Sequence, residues 1–124
     1  FDLQLAAGLL RRLYTPGASS LLRASMEAAN KLGVRSAKAD LARGFLAWET
    51  HANGEWEEYR ILWCVRKLLA EKYGIEHRIR GHFGTGDNDA RIRGYQSVMD
   101  PFLSSKLGAD WKVRIHEEAK TFYR

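Results

Sequence analysis

The chain has 124 residues, 45% of them hydrophobic, with 20 basic and 15 acidic side chains for a net charge of +5. That length and composition suit one globular domain with its own core, and they argue against a disordered, collagen-like or metal-stapled chain. The one cysteine, Cys64, cannot close an internal disulfide and excludes a four-cysteine zinc site, and no apolar run approaches the length of a membrane span.

Leu3, Ala6, Ala7, Leu10, Leu13 and Tyr14 recur at helical spacing, with Arg11 and Arg12 on the polar side. The apolar run 5–10 precedes these arginines, the reverse of a signal peptide, and no A-x-A site follows it. Thr15-Pro16-Gly17 ends this first predicted helix. Ser19 or Ser20 can cap a second helix carrying Leu21, Leu22, Met26, Ala29 and Leu32, closed by Gly33. Ser36 caps a third, with Leu41, Phe45, Trp48 and Ala52 on one face, stopped at Asn53-Gly54.

The fourth helix, residues 55–73, opens on Glu55, Glu57 and Glu58 and closes on Lys67, Lys72 and Gly74, the polarity that the helix dipole favours. Its apolar residues cover more than one stripe, so it reads as the central helix around which the first three pack. After Gly74 the period changes to 2. Residues 75–83 alternate, as do 90–95 and 111–116, with Asp100-Pro101 starting a short helical stretch to Gly108. The prediction is a single α+β domain over 1–124, mainly helical, in which residues 1–74 form the helices and residues 75–124 a basic antiparallel hairpin or sheet. A competing reading makes 88–99 a helix capped by Asp87 or Asp89, with Ile92, Tyr95 and Met99 inward. That reading leads to an all-α alternative.

Arg78-Ile79-Arg80-Gly81-His82 is echoed by Arg91-Ile92-Arg93-Gly94-Tyr95. Folded about Thr85-Gly86, these arms set Arg78 opposite Arg93, Ile79 opposite Ile92, Arg80 opposite Arg91 and His82 opposite Asp89. One face then carries Arg78, Arg80, Arg91 and Arg93, which Lys112 and Arg114 extend if 111–116 adds a third strand. Like charges facing each other across a sheet cost up to about 1 kcal/mol per pair, a cost that a bound anion would offset. The rest of the basic excess is dispersed. Residues 1–50 hold seven basic and four acidic side chains, 51–100 eight of each, and 101–124 five and three, so any larger patch has to be assembled by folding.

The insert Gly84-Thr85-Gly86 lacks the lysine of a phosphate loop and the third glycine of a dinucleotide fingerprint. Asp87-Asn88-Asp89 lacks the further ligands of a calcium loop, and both groups suit a turn better than a Mg²⁺ site. No metal or cofactor is predicted. All four tryptophans read as core, and Tyr95 is the aromatic placed beside the arginines as a stacking platform would require. The function this implies is a non-catalytic basic module, or an assembly subunit, that docks on nucleic acid (RNA above DNA) or an acidic protein surface. The alternative is a small toxin-like, metal-independent nuclease, with His82 and His116 supplying acid and base among arginines. Cysteine usage points to a reducing compartment, cytoplasm or organelle matrix, and a start at Phe1 fits a fragment or a processed chain.

Overall fold

The computed structural model describes residues 16–51, 56–80 and 86–123. The predicted helix at 3–14 and the loop 81–85, with His82, lie outside them. Along the described residues run α1 (Pro16–Ala42), β1 (Ala47–Thr50), α2 (Trp56–Leu68, continued by a wider π turn, Leu69–Tyr73), β2 (Glu76–Ile79), α3 (Gly86–Leu107) and α4 (Trp111–Tyr123). The fold is mainly helical, with one small two-stranded parallel sheet.

The second and third predicted helices are one. α1 begins at Pro16, where the missing N–H costs nothing in a first turn, so the proline expected to stop a helix starts one. It runs through Gly33 to end at Gly44 (φ 71°) in a Schellman turn. There the Phe45 N–H donates to the Asp40 carbonyl at 2.8 Å and the Gly44 N–H donates to the Leu41 carbonyl at 3.0 Å. Residues 47–50 leave the helix and become β1, which carries Trp48 into the sheet.

Gly33 has a different task from the one predicted. A Cβ built on it would lie 2.0 Å from the Arg91 carbonyl oxygen, and one on Gly94 would lie 2.0 Å from the Asn30 carbonyl oxygen. At this crossing α1 and α3 therefore touch backbone to backbone. Asn30 Nδ2 adds a bond to the Ala90 carbonyl at 3.1 Å, and Ser25 Oγ reaches Asp87 at 3.0 Å. Residues 25, 30 and 33 of α1 meet 87, 90 and 91 of α3 in the same order, so the two helices run in the same direction.

The antiparallel hairpin does not form. β2 falls where the alternation placed a strand, but its partner is β1, in parallel, with Trp48 opposite His77 and Glu49 opposite Arg78. A parallel pair needs a crossover, which α2 supplies. Residues 90–95 belong to α3, as the competing reading had it: Ile92, Tyr95 and Met99 are buried, and Asp87 and Asp89 occupy the first turn. Pro101 lies inside this helix and does not start one; Gly108 (φ 103°) ends it. Residues 111–116 are helical as well, burying Trp111, Ile115 and Ala119 at four-residue spacing.

The two faces of the sheet meet different helices. Glu49 and Arg78 face Asp40 of α1 and Tyr95 of α3, while Trp48 packs edge-on against Trp111 of α4. The sheet thus sits between an α1/α3 layer and an α2/α4 layer. α2 is not the central helix: it buries Leu62, Val65 and Leu68, but Trp63 is 65% exposed and Arg66 and Lys67 face solvent. Trp48 and Trp111 are core as predicted, Trp63 is not, and the Trp56 side chain is not among those described.

Replacing Gly33 or Gly94 with Ala should therefore destabilise the fold by about 3 kcal/mol or more, because backbone must move to admit the methyl group. Gly86→Ala, whose Cβ would make only an ordinary contact with Met26 at 3.6 Å, should change stability by less than about 1 kcal/mol. Urea midpoints of the three variants check this.

Candidate functional site

The Schellman turn and the two strands bring together groups that are far apart in sequence. Asp40, buried, sits three residues before the α1 C-cap and accepts hydrogen bonds from the Tyr95 hydroxyl (2.7 Å), Arg43 Nη2 (2.5 Å) and Arg78 Nη1 (3.1 Å). Arg78 Nη1 also reaches Glu49 Oε2 at 3.2 Å, and Arg80 Nη2 meets the same oxygen at 3.2 Å. Burial pushes the Asp40 carboxyl up, but its three donors outweigh this and hold it below the usual carboxylate range. Burial also works against the Arg78 charge, and the bonds to Glu49 and Asp40 more than restore it. Desolvation and the bond to Asp40 push the Tyr95 hydroxyl well up, so it stays a neutral donor.

On the other face His77 is buried and stacks on Trp48 with ring centroids 4.6 Å apart, its Nε2 2.7 Å from Thr50 Oγ1. Its Nδ1 has no partner among the described residues. Burial first, and then the nearby Arg66 and His116, lower its pKa from 6.5 to about 4. This face is as dry as the other is ionic.

The two edges of the sheet differ. Glu76 N–H donates to Leu46 and Arg80 N–H donates to Thr50, so residues 76, 78 and 80 turn their backbone groups toward β1. The N–H and C=O of His77 and Ile79 then point away from it. The outer edge of β1 is covered, because Gln96 of α3 donates to the Glu49 carbonyl at 2.7 Å. Beside β2 lies an open groove instead. A polar section of about 270 Å³ is lined by Arg66, Arg78, Ile79 and Arg80. A more apolar section of about 350 Å³ adds Phe45, Gly74 and Ile75, and both share Arg66, Glu76 and His77.

The predicted anion-binding residues do not form one face. Arg78 is the internal ion-pair residue just described, and only 18% of its side chain is exposed. Arg80 lines the groove. Arg91 is exposed on α3, and Arg93 pairs with Asp89 one helical turn away at 3.5 Å. Lys112 donates to Asp100 at 2.8 Å and lies over the Trp48 and Trp111 rings; Arg114 pairs with Asp110 at 3.3 Å and caps the Leu107 carbonyl. Strand and helix periods assign these side chains to different faces, so the hairpin pairing that united them fails with the hairpin. Tyr95, expected on an exposed face beside the arginines, has Arg78 over its ring at 5.7 Å but is fully buried.

His116 is half-buried on α4. Asp87 and Asp89 are taken up by Ser25 and by Arg93, with His51 at 3.6 Å from Asp89. Among the described residues no three His, Cys, Asp or Glu side chains converge as metal ligands. Sequence reasoning missed Arg66 and Phe45 as groove residues and Asp40 and Glu49 as the partners that hold Arg78 and Arg80. An exposed arginine on a helix and an aromatic after a glycine carry no local mark of this use. No family model, curated protein or solved structure matches the chain.

Two outcomes follow. Arg78→Gln should destabilise the fold by about 3 kcal/mol by removing the cation that Asp40 and Glu49 share and leaving these buried carboxylates only Arg43 and Arg80, whereas Arg91→Gln should stay within about 0.5 kcal/mol; thermal or urea unfolding reads both. The unfolded chain protonates His77 below about 6.5 and the folded chain only near 4, so the unfolded state binds more protons in that window. Stability should then fall on acidification through it, by up to about 3 kcal/mol, and His77→Gln should flatten the slope. Asp40, whose pKa is lowered in the fold, adds a further loss only below its ordinary value of 3.8.

Proposed function

We propose that the chain is a non-catalytic binding module whose groove along β2 docks on a polyanion, as a nucleic acid or an acidic protein surface presents one. The reading keeps the predicted class of partner and moves the contact from the hairpin to Arg66 and Arg80. The observation that carries it is incomplete pairing of these cations inside one open groove. Among the described residues, Arg66 has no carboxylate within 4 Å, and the partly exposed Arg80 side chain meets a carboxylate at Nη2 alone. Glu49 holds Nη2 of the Arg80 guanidinium and Nε is turned inward, so the Nη end of the side chain is the part that would meet an oxyanion in the groove.

The outward backbone edge, to which no other described strand pairs, supports the same reading. An uncovered strand edge presents unpaired N–H and C=O groups, and proteins ordinarily cover such an edge or charge it. Here it is charged, with arginines on either side of it. A cationic rim also steers anions toward the neutral hydrogen-bonding groups between them.

Retention on heparin in a salt series tests the proposal. Arg66→Gln together with Arg80→Gln should elute at lower salt than the parent, with a salt slope reduced by about two, one for each lost phosphate-like contact. Arg91→Gln with Arg93→Gln removes the same charge elsewhere and should move elution much less. Equal effects of the two pairs would mean diffuse attraction and overturn the groove reading.

A further inference from the structure

The proposal that the β2 groove takes a polyanion leaves its chemical class open, and the shape of the groove narrows it. Resting on that reading, we infer that the ligand is a single-stranded nucleic acid, with a base seated against Phe45 and the neighbouring phosphates on Arg66 and Arg80. The groove has two chemically distinct halves joined by shared walls. One half is polar and lined by Arg66, Arg78 and Arg80; the other adds Phe45, Ala70, Gly74 and Ile75 to the Arg66, Glu76 and His77 that both share. A nucleotide has the same division, a planar apolar ring joined to an oxyanion.

Phe45 is prepared for this use. Phe45 is 42% exposed although backbone bonds fix the chain at both the preceding turn and the following strand. The Arg78 guanidinium lies over it, 5.5 Å from its centroid, and that guanidinium is fixed by Asp40 and Glu49. The ring is therefore backed by a rigid cation, and its exposure serves a second stacking partner. Every base offers a π face, so such a platform is tolerant of sequence.

Glu76 gives the groove an acceptor that suits a base or a sugar. Its carboxylate lies where the two halves meet, held 3.4 Å from Arg78 Nε. It accepts hydrogen bonds, as base amino groups or a ribose hydroxyl can give and the carboxylate side chains of an acidic segment cannot. The outward N–H and C=O groups of His77 and Ile79 can meet a base edge in the same way. A duplex hides its base faces within the stack, so only an unpaired strand can place one on Phe45.

The experiment uses the full chain and a labelled short single-stranded RNA, with a duplex of the same sequence and a polyglutamate of equal charge as competitors. Phe45→Leu should weaken binding of the single strand at least about fivefold, Phe45→Trp should restore it, and neither should shift heparin elution. As a readout on the parent protein, an RNA carrying 4-thiouridine should photocrosslink to Phe45. Undiminished RNA binding by Phe45→Leu, crosslinking only elsewhere, or competition by polyglutamate or duplex as effective as the single strand overturns the inference. In each of those cases the heparin dependence on Arg66 and Arg80 still stands. Loss of that dependence as well would remove the polyanion reading together with this one.

Discussion

One guanidinium holds the α1/α3 layer onto the sheet. Arg78 projects from β2 into a space closed by α1, α3 and β1, where it meets Asp40 and Glu49 at 3.1 and 3.2 Å. Both carboxylates are buried away from water, and neither is neutralised by a residue near it in sequence, Arg43 beside Asp40 excepted. The strand, the end of α1 and Tyr95 of α3 must therefore arrive together for any of these charges to be buried. Such a network is weak evidence of stability when measured against an apolar core, but it is costly to satisfy incompletely, which makes it selective for one arrangement.

The same network shapes the groove. Because Glu49 is shared, Arg80 is fixed at one nitrogen and left incomplete at another. Because Arg78 is fixed, Phe45 has a held cation over its ring. The Schellman turn contributes twice, setting Asp40 inside and Phe45 outside across a few residues that end at a left-handed glycine. If the groove binds as proposed, a surface built this way has little to reorganise, which lowers the entropic cost of association.

Much of the local structure was legible in the sequence. The helix ending at Gly74, the strand beginning just after it and the inward set Ile92, Tyr95 and Met99 all follow from spacing and from glycine chemistry. The errors arose where two periods fit the same residues. Arg-Ile-Arg-Gly-Tyr and Trp-Lys-Val-Arg-Ile-His alternate, yet each also places apolar residues three or four apart, and only packing on a neighbour chooses between these readings. Gly33 failed for a related reason: a glycine that ends a helix and one that lets two helices touch look alike in sequence.

By itself, then, the sequence determined that the chain is mainly helical, where its apolar stripes lie, and that it carries more positive than negative charge. Tertiary structure alone decided which cations are spent on internal carboxylates and which still face outward. Net charge and spacing are properties of the chain, whereas pairing depends on what lies within about 4 Å after folding, and Coulomb attraction at that range outweighs any preference set along the sequence. Arg78 and Arg91 occupy matching places in a repeated motif. One is locked between Asp40 and Glu49 and the other lies on an open helix face, because one copy became a strand between two helical layers and the other the outer side of a helix.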